Sequence, residues 1–588
     1  MGLFQKAVET YDAMQSLAGV KEEGKKEMLA PIGFAIRNAT IEITIDENGN
    51  FVRASKINEK IPIPCTEKSA GRSSGIAAHP LCDNLTYVTN LYADKHNAYM
   101  KGIEAWKESK YGNPKLDAIY NYLQKNSVLN DCVKSGIVEP PQTGKVKGEE
   151  ALVVWRVEGF GEKSGAVYED KELMESYSKY YIECNSVNVG ICMVTGKTEM
   201  LAIQHLGGVL GFNGTARLIS ANDSSNYTYR GRFFDADEAL TVGYLSSQKA
   251  HNALKWLLSN YGVSIGDRRM VCWNPKGKKI PEFNLPLIKK SDEKIIPSDY
   301  KEELKKVLNG YEADLPKSEN VVIAAFEAAT NGRLSVTYYN ELQGSDFLDR
   351  LYYWDSTCCW FDNSCGTGSP ELKQIINLAF GTERESGKIE CDSKVLGQQL
   401  QRLISCRLDK SMFPKDIMRN LVIKASNLQV YSKENADKLL FTACAAIKKC
   451  KYDYLKEEWD MALDANKADR SYQFGRLLAI LEKIERDTYG GGEERDTNAI
   501  RAQAFYSRRP LTAFKQIMEA LKTGYYPRLS AGAKVSHEKL IGSIMQKISD
   551  VSNDEELDKP LTETYLMGYY LQKNALYTKK ENKQSEEE

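Results

Sequence analysis

The hydrophobic period of this chain changes partway along, and that change limits its fold more than any other feature. Up to about residue 360, short β-rich runs alternate with helical stretches; beyond it, apolar residues recur at helical spacing only. In ATIEITIDENGNFVRASKI a period of two flanks the turn signal ENGN, which predicts a β-hairpin. ALVVWRVEG, KYYIECN and NVVIAAFEA, rich in Val, Ile and Tyr, are further predicted strands. FDADEALTVGYLSSQKAHNALKWLLSNYG predicts a helix with Leu254, Leu257 and Leu258 on one face and Gly262 as its stop. DNSCGTGSP, residues 362–370, is a breaker and the expected boundary. After it, Phe474, Leu477, Leu478, Leu481 and Ile484 form one continuous helical face, and Leu511, Phe514, Met518 and Leu521 repeat the arrangement. LTETYLMGYYLQKNALY predicts a last helix with an aromatic face. The expected fold class is therefore α+β. A mixed α/β region covers 1–365, a helical connecting region 366–460, and an all-α bundle 461–588 with a disordered tail from about 580.

Composition narrows the class. The 588 residues suffice for two to four domains with real cores. Seventy-nine basic residues face 80 acidic ones, for a net charge of -1. No apolar stretch approaches the ~20 residues that span a bilayer, and MGLFQKAVETYDAMQ reads as an amphipathic helix rather than a signal peptide. The expectation is a soluble cytoplasmic protein without membrane contact. Thirteen cysteines are scattered, and only Cys358, Cys359 and Cys365 cluster. That cluster lacks zinc-site spacing, and all five histidines (His79, His96, His205, His251, His537) lie far from it in sequence. Reduced, mostly buried thiols are expected, with no metal and no cofactor.

Two enzyme signatures fail on inspection. GICMVTGKT (Gly190–Thr198) resembles a phosphate-binding loop but carries one residue too many before its GK pair, so the backbone N–H groups would not converge. A turn between two strands is the better reading. GRSSG (Gly71–Gly75) puts Ser73 at the nucleophile position of G-x-S-x-G, yet the preceding IPIPCTEKSA is no buried strand, and no histidine is singled out as a partner. The chain reads as a non-enzyme; the competing readings are a GRSSG hydrolase, a nuclease using scattered carboxylates, or a purely structural scaffold.

Charge distribution says more than its sum. Arg268, Arg269, Lys276, Lys278, Lys279, Lys289 and Lys290 fall in one stretch against Asp267 and Glu282. From Arg501 to Ile548, nine basic residues, among them Arg508, Arg509, Lys515 and Lys522, face Glu519 and Glu538. They interleave with Phe505, Tyr506, Tyr525 and Tyr526, a mixture suited to phosphates and stacked single-strand bases. An ordinary solvated helical face would look the same. In EKSAGRSSG, Lys68 and Arg72 stand among glycines and hydroxyls that permit close backbone approach.

Several collinear segments resemble one family, the large subunit of the type I-C (Dvulg subtype) CRISPR Cascade complex. GRSSGIAAHPLCDNLTYV (Gly71–Val88) is similar to its Arg-x-Ser-Gly … Cys-Asp-Asn … Tyr-Val stretch, and CMVTGKTEMLAIQHLGGVLGF to its Cys-x-Val-Thr-Gly … His … Gly-Val run. SYQFGRLLAILEKIE and YLMGYYLQKNALYTKK resemble its C-terminal Tyr-x-x-Gly-Arg-Leu and Gly-Tyr-Tyr-x-Gln motifs. FFDADEALTVGYLSSQKAHNALKWLL departs from the family pattern, with Asp235 for an Asn and no proline after Ala253.

The resemblance implies a non-catalytic subunit of a crRNA-guided complex. Such a subunit sits beside the handle-binding and backbone subunits, reads a protospacer-adjacent motif in double-stranded DNA, promotes R-loop formation and presents the displaced strand to a recruited helicase-nuclease. On that reading Lys68, Arg72, Ser73, Ser74 and Asn84 form the motif-proximal loop. Arg268, Arg269, Lys276, Lys278 and Lys279 contact a nucleic-acid backbone. Arg476, Arg508, Arg509, Lys515 and Lys522 follow the displaced strand. An internal start at Met461, with Met412 and Met418 as rivals, would yield the C-terminal bundle as a separate small subunit.

Overall fold

A computed structural model describes residues 2–584 except 73–74, 141–146, 162–164, 212–215, 221–232, 266, 284–298, 313–314, 316–318, 331, 363–365 and 491–494. The chain divides into two compact units, residues 1–278 with 320–341, and residues 279–319 with 342–588. The class is α+β, with half of the chain helical and 16% in strands.

The first unit opens with helix α1 (Leu3–Ala13) and the long hairpin of β1 (Phe34–Asp46) and β2 (Phe51–Pro64), where the alternating sequence places it. Asp46 builds the turn, accepting the backbone N–H groups of Asn48 at 2.9 Å and Asn50 at 2.7 Å. β3 (Val153–Glu158) pairs parallel with β1, Ile41 opposite Val153, giving the order β2-β1-β3. A parallel pair requires a long crossover. Helices α2 (Glu67–Ala70), α3 (Leu85–Val88), α4 (Ala93–Lys107), α5 (Pro114–Gln124) and α6 (Val128–Lys134) supply it. Helix α7 (Lys171–Cys184) follows and includes most of KYYIECN, which the sequence predicts as a strand. Leu173, Met174, Tyr177 and Tyr181 lie at helical spacing and are all buried, so the helical face wins over local β preference. Tyr177 packs edge-on to Trp106 with ring centroids 5.0 Å apart, in a core shared with Ile43, Ile63 and Trp155.

β4 (Val189–Ile191) and β5 (Thr198–Met200) form a hairpin, so the phosphate-loop lookalike is the turn between them. After α8 (Ala236–Ala239) and α9 (Tyr244–Tyr261) comes a second sheet of β6 (Val263–Ile265), β7 (Arg268–Trp273), β8 (Asn320–Thr330) and β9 (Arg333–Gln343), in that order. Tyr11 of α1, Leu254 and Leu257 of α9, and Val271, Trp273 and Val322 of the sheet make its core.

Among its described residues the second unit is mainly helical, with two short hairpins. Its helices are α10 (Tyr300–Glu312), α11 (Gly344–Thr357), α12 (Leu372–Phe380), α13 (Ser393–Leu408), α14 (Lys415–Ala425) and α15 (Lys433–Leu455). They continue with α16 (Arg470–Arg486), α17 (Asn498–Arg501), α18 (Gln503–Tyr506), α19 (Pro510–Gly524), α20 (Ala531–Val551) and α21 (Thr564–Gln584). The breaker near 365 therefore falls inside this unit, between α11 and α12. Buried charges tie α11 to the helices beyond the breaker. Arg407 of α13 donates to Asp355 at 2.8 Å, both side chains 2% exposed. Asp453 of α15 accepts from Tyr353, Lys449 and the Phe413 N–H, each at 2.8 Å.

The predicted face of α16 is buried as expected, Phe474, Leu477, Leu478, Leu481 and Ile484 all being inaccessible. α16 and α21 cross with their backbones in contact. A Cβ at Gly475 would overlap the Tyr565 carbonyl oxygen, and one at Gly568 the Tyr472 carbonyl oxygen. On α19 the buried face is Ala513, Ile517 and Leu521, while the predicted Leu511, Phe514 and Met518 are half-buried. α21 continues to Gln584, beyond the point near 580 where a tail is predicted. Among the described residues no helix is long and apolar enough to cross a membrane.

Candidate nucleic-acid interface

The loop after β2 begins with an N-cap. Thr66 Oγ1 accepts the Ser69 N–H at 3.0 Å and Ser69 Oγ the Thr66 N–H at 2.9 Å, which starts the one-turn helix α2. Arg37 of β1 donates to the Ala70 carbonyl at 2.6 Å and closes the other end. Glu67 is buried, and its carboxylate accepts the Ile203 and Gln204 N–H groups at 3.0 and 3.1 Å. Burial raises its pKa, and those two N–H groups only partly offset the rise. Lys68, on the opposite side of α2, is exposed.

Arg72 is not free to read a base edge. Its guanidinium makes a bidentate pair with Asp83, donates to the Ala77 carbonyl at 2.8 Å and stacks 4.3 Å over the Tyr87 ring. Asp83 is fully buried and also accepts the His79 and Asn84 N–H groups at 2.7 and 2.8 Å. Burial disfavours the charge on Arg72, but the Asp83 carboxylate outweighs it and raises the pKa. Asn84 is likewise engaged, donating to Glu150 at 2.7 Å and accepting from Thr86 at 2.6 Å. Ser73 and Ser74 lie outside the described residues. Of the loop residues singled out in sequence, Lys68 thus faces solvent while Arg72 and Asn84 anchor the loop from within.

Two cavities flank this loop. One, of about 450 Å³, is lined by Lys68, His79, Tyr180, Tyr181 and Gln204 among others, a size and lining that would accept a planar ring. The other, of about 60 Å³, is lined by Arg37, Arg217, His205, His251 and Lys255, with Glu27 and Glu67. His205 and His251 stack with centroids 5.8 Å apart. Burial, reinforced by Arg217, lowers His205 to about 3 and His251 to about 4, so both rings are neutral at ordinary pH. The sequence reading missed this convergence, because residues 37, 205, 217 and 255 meet only through sheet and helix packing. At Gly71 the approach is close: an added Cβ would stand 3.1 Å from Arg217 Nη2.

The other predicted cations divide in the same way. Arg268 is paired with Glu327 at 2.7 Å, and Arg269 donates to the Leu210 carbonyl at 2.6 Å; both are held in the sheet. Lys276, Lys278 and Lys279 are exposed, the first two on a turn whose N–H groups Asn274 accepts at 2.9 and 3.1 Å. Lys289 and Lys290 lie outside the described residues.

In the helical unit, Arg476 is buried and donates to Gln572 at 3.0 Å, the Ala465 carbonyl at 2.9 Å and Gln473 at 2.8 Å. It joins helices and faces no strand path. Arg508, Lys515 and Lys522 are exposed, as is Arg509, which stands 3.6 Å from Asp558. The aromatic partners are fewer than the sequence suggests. Tyr506 and Tyr526 are buried, leaving Phe505, 41% exposed, and the half-buried Tyr525.

The enzyme-like sequence features stand as follows among the described residues. Gly71 follows a one-turn helix rather than a buried strand. Cys358 and Cys359 are fully buried, Cys365 lies outside the described residues, and Lys448 Nζ stands 2.9 Å from Cys359 Sγ. Burial raises both thiols above their ordinary range. Among the described residues no three His, Cys, Asp or Glu side chains gather as a metal would require.

No curated protein matches the chain. A family model described as CRISPR-associated protein (Cas_Csd1) matches residues 8–577, spanning both units and nearly the whole length. The chain therefore belongs to the Cas_Csd1 family of CRISPR-associated proteins.

Proposed function

We propose that this chain is the large subunit of a type I-C crRNA-guided interference complex, reads the protospacer-adjacent motif in duplex DNA and has no catalytic step of its own. The family match over residues 8–577 carries the reading. Its partners are then the handle-binding and backbone subunits with their crRNA, a small subunit, the target duplex with its displaced strand, and the helicase-nuclease it helps recruit. Short-motif reading by protein leaves the remaining sequence to base pairing.

The arrangement around α2 supports this role. Lys68 is exposed beside a cavity that would take a flipped or splayed base, and Arg72 braces the loop that carries Ser73 and Ser74. In the helical unit, the exposed Phe505, Arg508, Arg509, Lys515 and Lys522 suit a displaced strand, by stacking and charge.

The deciding experiment is a gel-shift panel on the complex assembled with and without this chain, using targets with a randomised flanking motif. Binding that requires particular flanking bases, and that fails without this chain or with Lys68→Ala, supports motif reading. Binding that is indifferent to the chain makes it a scaffold, and cleavage of DNA or ester by the chain alone makes it an enzyme. We further propose Met461 as an internal start, since α16 begins nine residues later and opens the C-terminal helices. A C-terminally tagged gene should then yield a short product that Met461→Leu removes; persistence of the band refutes that start.

A further inference from the structure

We infer that the smaller cavity beside α2 is a binding site for a phosphate group, held by Arg217 and Arg37 with Lys255 and the paired histidines around it. Its walls come from β1, α2, α9, residues 205–209 and Arg217, all within the first unit.

The charge balance favours an anion. Both carboxylates in the wall are already engaged. Glu27 holds Lys60 at 3.0 Å and Lys255 at 3.1 Å, and Glu67 accepts two backbone N–H groups. Arg37 gives two of its five N–H groups to the carbonyls of Ile36 and Ala70, which aims the guanidinium and leaves donors for a ligand. Arg217 has no carboxylate partner among the described residues and stands half-buried at the wall, against Gly71. A guanidinium with no counter-ion is open to an anion, and its planar fork suits a phosphate's paired oxygens.

A second observation points to a ligand. His251 is 1% exposed and its Nδ1–H donates to the Ser247 carbonyl at 2.7 Å, while its Nε2, the acceptor of the neutral ring, has no partner among the described residues. An unpaired buried ring nitrogen costs about 1–3 kcal/mol, which a phosphate O–H, or a water donating to both Nε2 and a phosphate oxygen, would recover. Size selects the ligand. About 60 Å³ is more than the ~10–15 Å³ that admits one water and far less than the ~300 Å³ of a pocket for a whole organic ligand. A tetrahedral anion fits; a nucleobase does not.

The phosphate could be free or part of a nucleic-acid backbone. Choosing the backbone rests on the function proposed above, whereas the site itself does not. The test uses the full chain with inorganic phosphate, against chloride at equal ionic strength. With only five histidines in the chain, histidine-selective labelling gives a readable NMR spectrum. Saturable phosphate addition should move the His205 and His251 signals and leave His537 in place, and Arg217→Gln should weaken binding at least tenfold. No histidine response in the wild-type chain, or the same response to chloride, overturns the site even if every variant misfolds. To locate the source, the assembled complex carrying Arg217→Gln is tested on target DNA. A lower salt dependence of binding places a backbone phosphate there, while unchanged DNA binding alongside lost phosphate binding assigns the site to free phosphate.

Discussion

Arg72 shows how a residue chosen for one role can be fixed by the structure in another. Its side chain is 18% exposed and its partner Asp83 fully buried, so Arg72→Ala leaves a carboxylate with no counter-charge. We expect a loss of about 3 kcal/mol in urea unfolding. Arg72→Lys should recover little, since an ammonium cannot make the bidentate pair and stack on Tyr87 together. Motif binding should fall with Arg72→Ala only as far as the loop loosens, and Lys68→Ala should reduce it with stability intact. The same scale holds a pH effect. His205 and His251 sit at about 3 and about 4 against an ordinary 6.5, with Arg217 lowering both and Arg37, Lys255, Glu27 and Glu67 in the surrounding wall. As pH falls below about 6.5 the unfolded chain takes up these protons first, so stability declines toward about pH 3 and then levels. Each histidine contributes up to about 1.4 kcal/mol per pH unit in that window. Denaturation midpoints measured from pH 8 to pH 4 should show the decline, and His205→Gln with His251→Gln should flatten it. Of these residues the sequence exposed the loop's chemistry, Lys and Arg among glycines, but not its direction. Whether an arginine faces in or out was decided by Asp83, eleven residues away, which local pattern does not weigh.

Elements were most legible where period and length agreed. The β1–β2 hairpin, α9 and the buried face of α16 follow from spacing alone, because each runs long enough for one period to dominate. KYYIECN failed for the opposite reason: seven residues of β-favouring type were read apart from Leu173 and Met174, which complete the helical face. Tyr506 and Tyr526 failed because an aromatic amid cations looks identical in sequence whether it stacks on a base or on the core. The glycines in the two C-terminal motifs have a plain structural reason, since Gly475 and Gly568 let α16 and α21 touch backbone to backbone. Gly475→Ala and Gly568→Ala should each cost about 1–3 kcal/mol by overpacking, despite alanine's better helix propensity. Thermal unfolding of the full chain checks this; a neutral or stabilising result would mean that the crossing is looser than described. On the solvent side, Arg508→Glu with Arg509→Glu should lower the slope of log affinity against log salt by about 1.4 or more, two phosphate contacts at ~0.7 each on single strands. An unchanged slope in salt-titrated binding would return these residues to an ordinary solvated face.

At the level of the whole molecule, the class and the helical C-terminus were readable, but the partition was not. The sequence points to the breaker at 362–370, whereas the chain leaves the first unit at 278, returns for 320–341 and leaves again. The return is the pairing of β7 with β8, Arg268 opposite Glu327 through Trp273 opposite Val322, across some fifty intervening residues. Local composition carries no mark of such a partner. This interleaving has a consequence for synthesis. The second sheet of the first unit lacks β8 and β9 when residue 278 leaves the ribosome, and the unit's second segment is complete only sixty-three residues later. At ~5–20 residues per second that interval is about 3–13 s. Until β8 is made, β7 presents an unpaired edge, and the stretch 279–319, already translated, belongs to a unit whose remaining members do not yet exist. The nascent chain is therefore most exposed to mispairing in the middle of its translation, and slow codons or chaperone capture between residues 278 and 341 would bear on its yield more than either terminus.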